Sequence, residues 1–434
     1  MEDFGPNLFR PAALDAAAEN ISRAGKVFFA EMRQNRCQFA AHLQACAPNL
    51  PAMETTTHTR HRPSALLTGL QPDAKRLAET AEAILPTSRR RAAQREIMSW
   101  EGYAPTPLRA LPGLAGRLRV AHLWCKDEGS RFGLGSFKAL GGAYAVREQI
   151  GSKRGRLVVA CATEGNHGRS VAWAARRFGA QCIIYLHARV SEAREQAIAN
   201  YGASIRRIVG TYDDAVRQCA VDAEREGWTV ISDTSWAGYE EIPRSVMTGY
   251  TVLTREIVEQ MAGEAPPTHV FLQGGVGGMA AAALADLSEP YPLAATRYIL
   301  VEPLDAACLM ASLRANRPIR IEGEMKTVMA GLACGEPSPI ALEIVGAGVS
   351  AAIAIGDDLV VEAMHMMAAG GQGDSRIVAG PSGAAGLAGL LALQSNEEAC
   401  QALELGGQSR VLIINTEGDT DAAAYRRLMG AGRP

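Results

Sequence analysis

The stretch Lys126-Asp127-Glu128-Gly129-Ser130-Arg131-Phe132-Gly133-Leu134-Gly135-Ser136-Phe137-Lys138-Ala139-Leu140-Gly141-Gly142-Ala143 sets a lysine between a Gly/Ser loop and an apolar, helix-forming run. The residues before it, Val120–Lys126, read as a strand, so Lys138 falls where a strand hands over to a helix through about Gln149. That placement puts the amine at a helix start, facing a cavity, where the positive helix end favours nearby anions. Desolvation and that positive end would both lower the amine's pKa, giving the free base that attacks a carbonyl. Taken alone, Ser-Phe-Lys after a turn is more simply a solvent-facing lysine. Two glycine-rich loops further on reverse that reading.

Beyond the lysine, short apolar runs alternate with amphipathic segments. Strands are expected at Leu157–Ala162, Cys182–His187, Ile205–Val209, Thr229–Ser232, His269–Leu272, Tyr298–Val301 and Val411–Asn415. Helices are expected at Ser170–Phe178, Glu192–Asn200, Tyr212–Glu226, Met247–Met261 and Leu359–Ala369. This alternation implies an α/β chain whose mostly parallel sheets are covered by helices. Ligands of such sheets lie beyond the carboxyl ends of the strands, where the conspicuous loops fall.

Composition narrows the function. The chain has 434 residues, 47% hydrophobic and 21% charged, with a formal net charge of −2. That balance gives no electrostatic reason to expect nucleic acid or an anionic membrane as partner. Nine scattered cysteines without a CxxC pair argue against a disulfide framework or a structural zinc, and the histidines show no HxxxH spacing. No metal is expected. With no apolar run long enough to span a bilayer and a start, Met1-Glu2-Asp3, unlike a secretory signal, a cytoplasmic protein is expected. Residues 1–95 are polar and weakly periodic, with the basic cluster Arg89-Arg90-Arg91, and read as a helical and irregular N-terminal extension to a core of 96–434.

Two loops carry the chemistry. Thr163-Glu164-Gly165-Asn166-His167-Gly168-Arg169-Ser170 follows a strand; its glycines let backbone approach a ligand, Asn166 can donate to a phenolate-like oxygen, and Glu164 is a potential proton acceptor. His167 reads as a loop histidine satisfied by backbone. Gly274-Gly275-Val276-Gly277-Gly278 follows His269–Leu272 and opens an alanine-rich helix, a backbone cup suited to a phosphate dianion. An activated lysine, an amide loop for a ring hydroxyl and a glycine cup for a phosphate together match what pyridoxal 5'-phosphate needs. Thr416, after the last strand in Asn415-Thr416-Glu417-Gly418-Asp419-Thr420, would set a neutral hydroxyl beside the ring nitrogen, which suits elimination better than transamination.

With these loops in hand, the chain resembles the fold type II, tryptophan-synthase-β-like, family of pyridoxal-phosphate enzymes, and within it the diaminopropionate ammonia-lyases. The likeness spans roughly Tyr103 to Tyr425 and rests on Tyr103-Ala104-Pro105-Thr106-Pro107-Leu108, Lys126-Asp127-Glu128, Arg131-Phe132-Gly133-Leu134, Phe137-Lys138 and Gly165-Asn166-His167-Gly168-Arg169. Further matches are Asp233-Thr234, Met329-Ala330-Gly331-Leu332-Ala333-Cys334-Gly335 and Thr416-Glu417-Gly418-Asp419-Thr420-Asp421. The resemblance implies a two-lobed core, the smaller lobe (roughly 140–255) inserted in the larger, a homodimer, and α,β-elimination of 2,3-diaminopropionate to pyruvate and ammonia. It also implies that Lys138, beside Phe137, holds the cofactor, that Asn166 meets its ring hydroxyl, Gly274 to Gly278 its phosphate and Thr416 its ring nitrogen. Glu164 and Asp233 would be the two acids on opposite sides of the cofactor.

Two departures keep alternatives open. Glu164 stands where the family has Asp, shifting the carboxylate by roughly 1 Å, enough to matter for proton abstraction. Pro381 in Gly380-Pro381-Ser382-Gly383-Ala384 replaces a Glu and moves this loop toward the serine/threonine dehydratases. A dehydratase or lyase for another β-substituted amino acid is therefore the runner-up. A non-catalytic amino-acid-binding protein and, with GxGxxG absent, a nucleotide-binding module are the remaining classes.

Overall fold

The structure, a computed structural model, describes residues 64–152, 157–163, 165–188, 190–210 and 212–430. Eleven strands, numbered in chain order, form two sheets. The larger has seven strands in the order β1-β10-β9-β8-β11-β3-β2. These are β1 (Ala65–Leu67), β2 (Leu108–Ala110), β3 (His122–Asp127), β8 (His269–Gln273), β9 (Arg297–Pro303), β10 (Ala351–Ile355) and β11 (Arg410–Asn415). Its inner five strands are parallel, and the short edge strands β1 and β2 are antiparallel to their neighbours. Helices on both faces account for the unbroken apolar runs: Val411 to Ile414 are all buried, as are all residues of β8 and β10.

The smaller sheet is parallel throughout, in the order β6-β5-β4-β7: β4 (Val158–Ala162), β5 (Gln181–His187), β6 (Ser204–Ile208) and β7 (Thr229–Val230). In sequence it falls between β3 and β8 of the larger sheet. This is the α/β arrangement of mostly parallel sheets expected from the sequence.

Residues 65–95, read from the sequence as part of an extension, are packed against the core. β1 pairs with β10, with Leu66 opposite Ile353. In helices Ala74–Ile84 and Thr87–Met98, Leu77, Ala81, Ile84, Ala93 and Ile97 are buried. The polar Arg90 is buried with them, donating to the carbonyls of Leu85 and Ala285 and to Asp286. Residues 1–63 lie outside the described residues.

Close helix contacts explain the glycines after Lys138. A Cβ on Gly141 would stand 2.4 Å from the Tyr250 ring and 2.5 Å from the Val246 carbonyl oxygen, and one on Gly249 2.6 Å from that of Leu140. Helices Lys138–Ser152 and Glu241–Gln260 therefore meet backbone to backbone, which fixes Lys138 relative to Tyr250. No helix among the described residues is long and apolar enough to cross a membrane.

Candidate active site

The loop before Lys138 is held from below by buried charges. Lys126 donates to the Thr106 carbonyl (2.7 Å), to Glu256 (2.6 Å) and to Gln260 (2.9 Å). Arg131 bridges Glu128 (2.8 Å) and Glu256 (2.7 Å), and both ion pairs are almost wholly buried. Two positive and two negative charges thus neutralise one another, the condition under which buried charge is tolerated. Above this network the chain turns through positive φ at Phe132, Gly133 and Gly135. It then lies along the end of β11: the Phe137 N–H donates to the Thr416 carbonyl (3.1 Å) and the Gly418 N–H to that of Gly135 (2.9 Å).

Lys138 is the first residue of its helix, as expected, and its Nζ donates to Asp233 Oδ2 at 2.6 Å. Phe137 and Tyr250 wall the amine at 5.3 and 5.8 Å from their ring centroids. The expected drop in the amine's pKa is reversed. Burial does pull it down, but the touching Asp233 carboxylate outweighs that and raises it. Burial likewise disfavours the Asp233 carboxylate, yet Lys138 and His167 hold its pKa below the ordinary carboxylate range. The pair is an ammonium and a carboxylate. His167 Nδ1 stands 4.0 Å from Asp233, while its Nε2 donates to the Ile231 carbonyl (3.0 Å). Burial, reinforced by Lys138, lowers its pKa despite Asp233, so the ring is neutral.

The second loop packs beside this pair. Thr163 Oγ1 accepts the N–H groups of Gly165 and Gly168, each at 3.1 Å. The helix begins at Asn166, four residues before its expected start at Ser170. Asn166 Nδ2 donates to Glu417 Oε2 at 2.5 Å. Glu164 lies outside the described residues.

The glycine loop completes the arrangement. Gly275 and Gly277 have φ of 83° and 95°, which only glycine takes freely, and helix Gly278–Leu287 starts without a side-chain cap. Among the described residues no protein acceptor takes the N–H groups of Gly275, Val276, Gly277 or Gly278. A Cβ on Gly278 would sit 3.4 Å from Met247 and 3.9 Å from the Asp233 carbonyl oxygen, so the loop reaches the Lys138 pair. A relay of serines ties the two: the Ser338 N–H donates to the Val276 carbonyl (2.9 Å), and Ser338 Oγ accepts the Ser235 N–H (3.1 Å).

Sequence reasoning gave no role to Tyr250, Ser235, Ser338 or Glu417. Tyr250 had no local signal, being brought in by a helix crossing. Glu417, adjacent to Thr416 in the quoted motif, was legible as a carboxylate but not as one facing Asn166. Thr416 is buried at the end of β11, and its carbonyl is the group that meets the lysine loop.

These residues fit a phosphorylated aldehyde: unclaimed N–H groups at a helix start for the phosphate, an amine within reach of the same space, aromatic walls, and a buried Tyr250 hydroxyl without a hydrogen-bond partner. The comparison with known families agrees. The profile described as "Pyridoxal-phosphate dependent enzyme" matches residues 100–417, and the chain belongs to that family of cofactor-dependent enzymes. Within it, the chain is similar to diaminopropionate ammonia-lyase of Escherichia coli (strain K12), with 39% identity over 353 residues covering 76% of this chain and 89% of the relative. The crystal structure of the Escherichia coli ammonia-lyase in complex with an aminoacrylate-PLP azomethine reaction intermediate superposes with a TM-score of 0.78 at 36% identity, covering 85% of this chain and 97% of that one. Biosynthetic L-threonine dehydratase of Escherichia coli (strain K12) is more distant, 26% identical over 291 residues, 67% of this chain and 53% of the relative.

Proposed function

We propose that this enzyme catalyses α,β-elimination of 2,3-diaminopropionate, giving one pyruvate and two ammonia with uptake of one water. The observation that carries the reading is the Lys138–Asp233 pair at 2.6 Å, beside an open glycine loop, in a chain 39% identical to an ammonia-lyase. In this reading Lys138 attaches the cofactor, Gly274 to Gly278 bind its phosphate, Asn166 its ring hydroxyl and Thr416 its ring nitrogen, with Phe137 as a wall. The cofactor supplies an electron sink for charge developing at the substrate's α-carbon.

The chain's own residues do the rest. Asp233, kept ionised by its neighbours, is a base for the α-proton on one side, and Glu164 is assigned to the other. Lys138, an ammonium in its pair with Asp233, would be the acid that hands a proton to the departing amine. Phe137 and Tyr250 exclude water while this happens. The enamine released hydrolyses in solution.

We read the chain as a cytoplasmic homodimer, its division as an N-terminal extension of residues 1–95, packed against the core from residue 65 on, and a core of 96–434 in which residues of roughly 140–255 form the smaller lobe. The seven described cysteines are free thiols, in keeping with a reducing compartment. The dehydratase reading rests on Glu164 and on Pro381, which opens helix Pro381–Gln394 where the ammonia-lyase pattern has a carboxylate.

The test is product release from D- and L-diaminopropionate against D- and L-serine and threonine. Two ammonia per pyruvate from a diaminopropionate is expected; turnover of hydroxy amino acids with neither diaminopropionate accepted would overturn the reading.

A further inference from the structure

We infer that Glu417 is the specificity-determining residue that recognises the β-ammonium of the substrate. The inference rests on the elimination reading above and deepens it.

Glu417 is 8% exposed and lines an open cleft at the end of β11 with Arg194, Gly380, Pro381 and Asp421. Its backbone lies opposite Ser136, two residues before Lys138. One carboxylate oxygen accepts the Ser382 N–H at 3.1 Å and the other the Asn166 amide at 2.5 Å. Two ligands leave acceptor capacity unused, since an ionised carboxylate offers about four lone-pair sites. Among the described residues no Lys, Arg or His comes within ion-pair distance of it, although it is buried. Glu128 and Glu256 are each paired with Arg131, Asp222 with Arg206, and Asp421 of the same cleft with Arg194. A buried carboxylate beside the cofactor-facing Asn166, short of a cation, is completed by a substrate that brings one.

A diamino acid brings a second ammonium where serine or threonine brings a neutral hydroxyl. The charge difference falls on the β-substituent, so Glu417 would separate an ammonia-lyase from a dehydratase on the same scaffold. Asp233 cannot serve this purpose in the resting protein, because Lys138 already occupies it.

The experiment compares wild type with Glu417→Gln. For the holoenzyme, the ratio of kcat/KM for diaminopropionate to that for serine is expected to fall roughly 10–100-fold. Dissociation constants of the same two amino acids, measured by calorimetry on Lys138→Ala protein with and without Glu417→Gln, should move in the same sense. Ratios unchanged within about twofold would overturn the assignment of Glu417. A wild type that handles serine but not diaminopropionate would instead overturn the reaction. Should Glu417→Gln fail to fold, Glu417→Asp keeps the charge and is expected to keep the preference for the diamino acid; a preference for serine in that variant would count against the inference.

Discussion

Lys126 and Lys138 lie twelve positions apart, and each donates to a carboxylate at 2.6 Å, yet one is locked into the fold and the other faces the candidate site. All three protons of Lys126 are spoken for by Thr106, Glu256 and Gln260, and its side chain is wholly buried. Burial, with Arg131 beside it, lowers its pKa, and the surrounding glutamates are what keep it charged. Lys138 has one carboxylate partner, two aromatic walls and an open side. The difference is saturation. A lysine whose donors are all matched is fixed, whereas one with a single exchangeable partner can leave it for a carbonyl.

The sharpest way to break this comparison is to remove the two amines in turn. Lys138→Ala is expected to lower kcat by at least about 10⁴-fold, beyond the upper end of a single acid–base contribution, with a smaller loss of stability than Lys126→Met because the unpartnered Asp233 is partly exposed and can take up a proton. Lys126→Met should do the opposite. By leaving the buried cluster of Glu128, Glu256 and Arg131 one positive charge short, it is expected to destabilise the fold by about 3–5 kcal/mol in denaturant titrations, while the fraction that remains folded still takes up coloured cofactor. An active Lys138→Ala protein, or a Lys126→Met protein of unchanged stability, would erase the distinction.

A smaller effect comes from a third buried carboxylate, one with no cation. Glu302 accepts the backbone N–H groups of Leu309 (3.0 Å) and Met310 (2.7 Å) behind Gly274. Burial outweighs those bonds and pushes its pKa up to about 8 from an ordinary 4.5. The folded protein therefore holds this proton more tightly than the unfolded chain does. The stabilisation is complete below about pH 4.5 and is lost as pH rises through about 8, at most about 1.4 kcal/mol per pH unit in that window. Glu302→Gln should flatten that part of the stability profile; parallel profiles for the two proteins would contradict the assignment.

The same contrast shows what could be read without coordinates. Buried parallel strands with branched side chains, such as Val411 to Ile414, announced themselves, and Tyr212–Glu226 lies where its periodicity placed it. Ala351–Ile355 did not, because Ala-Ala-Ile-Ala-Ile carries neither a strand's alternation nor its usual bulk. The start of the Asn166 helix was hidden because its first turn opens on Asn-His-Gly, all weak helix formers. Residues 65–95 looked like an appendage because hydropathy cannot see that Arg90 is matched by the carbonyl of Ala285, 195 positions away. At the site, Lys138, Asn166 and the glycine loop were legible as local motifs. The charge state of Lys138 was not, for it depends on Asp233, 95 residues further along the chain.

The most direct test of the account is to reduce the cofactor-loaded protein with borohydride, digest it and weigh the peptides. The result expected is a pyridoxyl adduct on Lys138 in wild type and none in Lys138→Ala. An adduct on Lys126 or any other lysine, or none at all in a protein that is coloured and active, would contradict it.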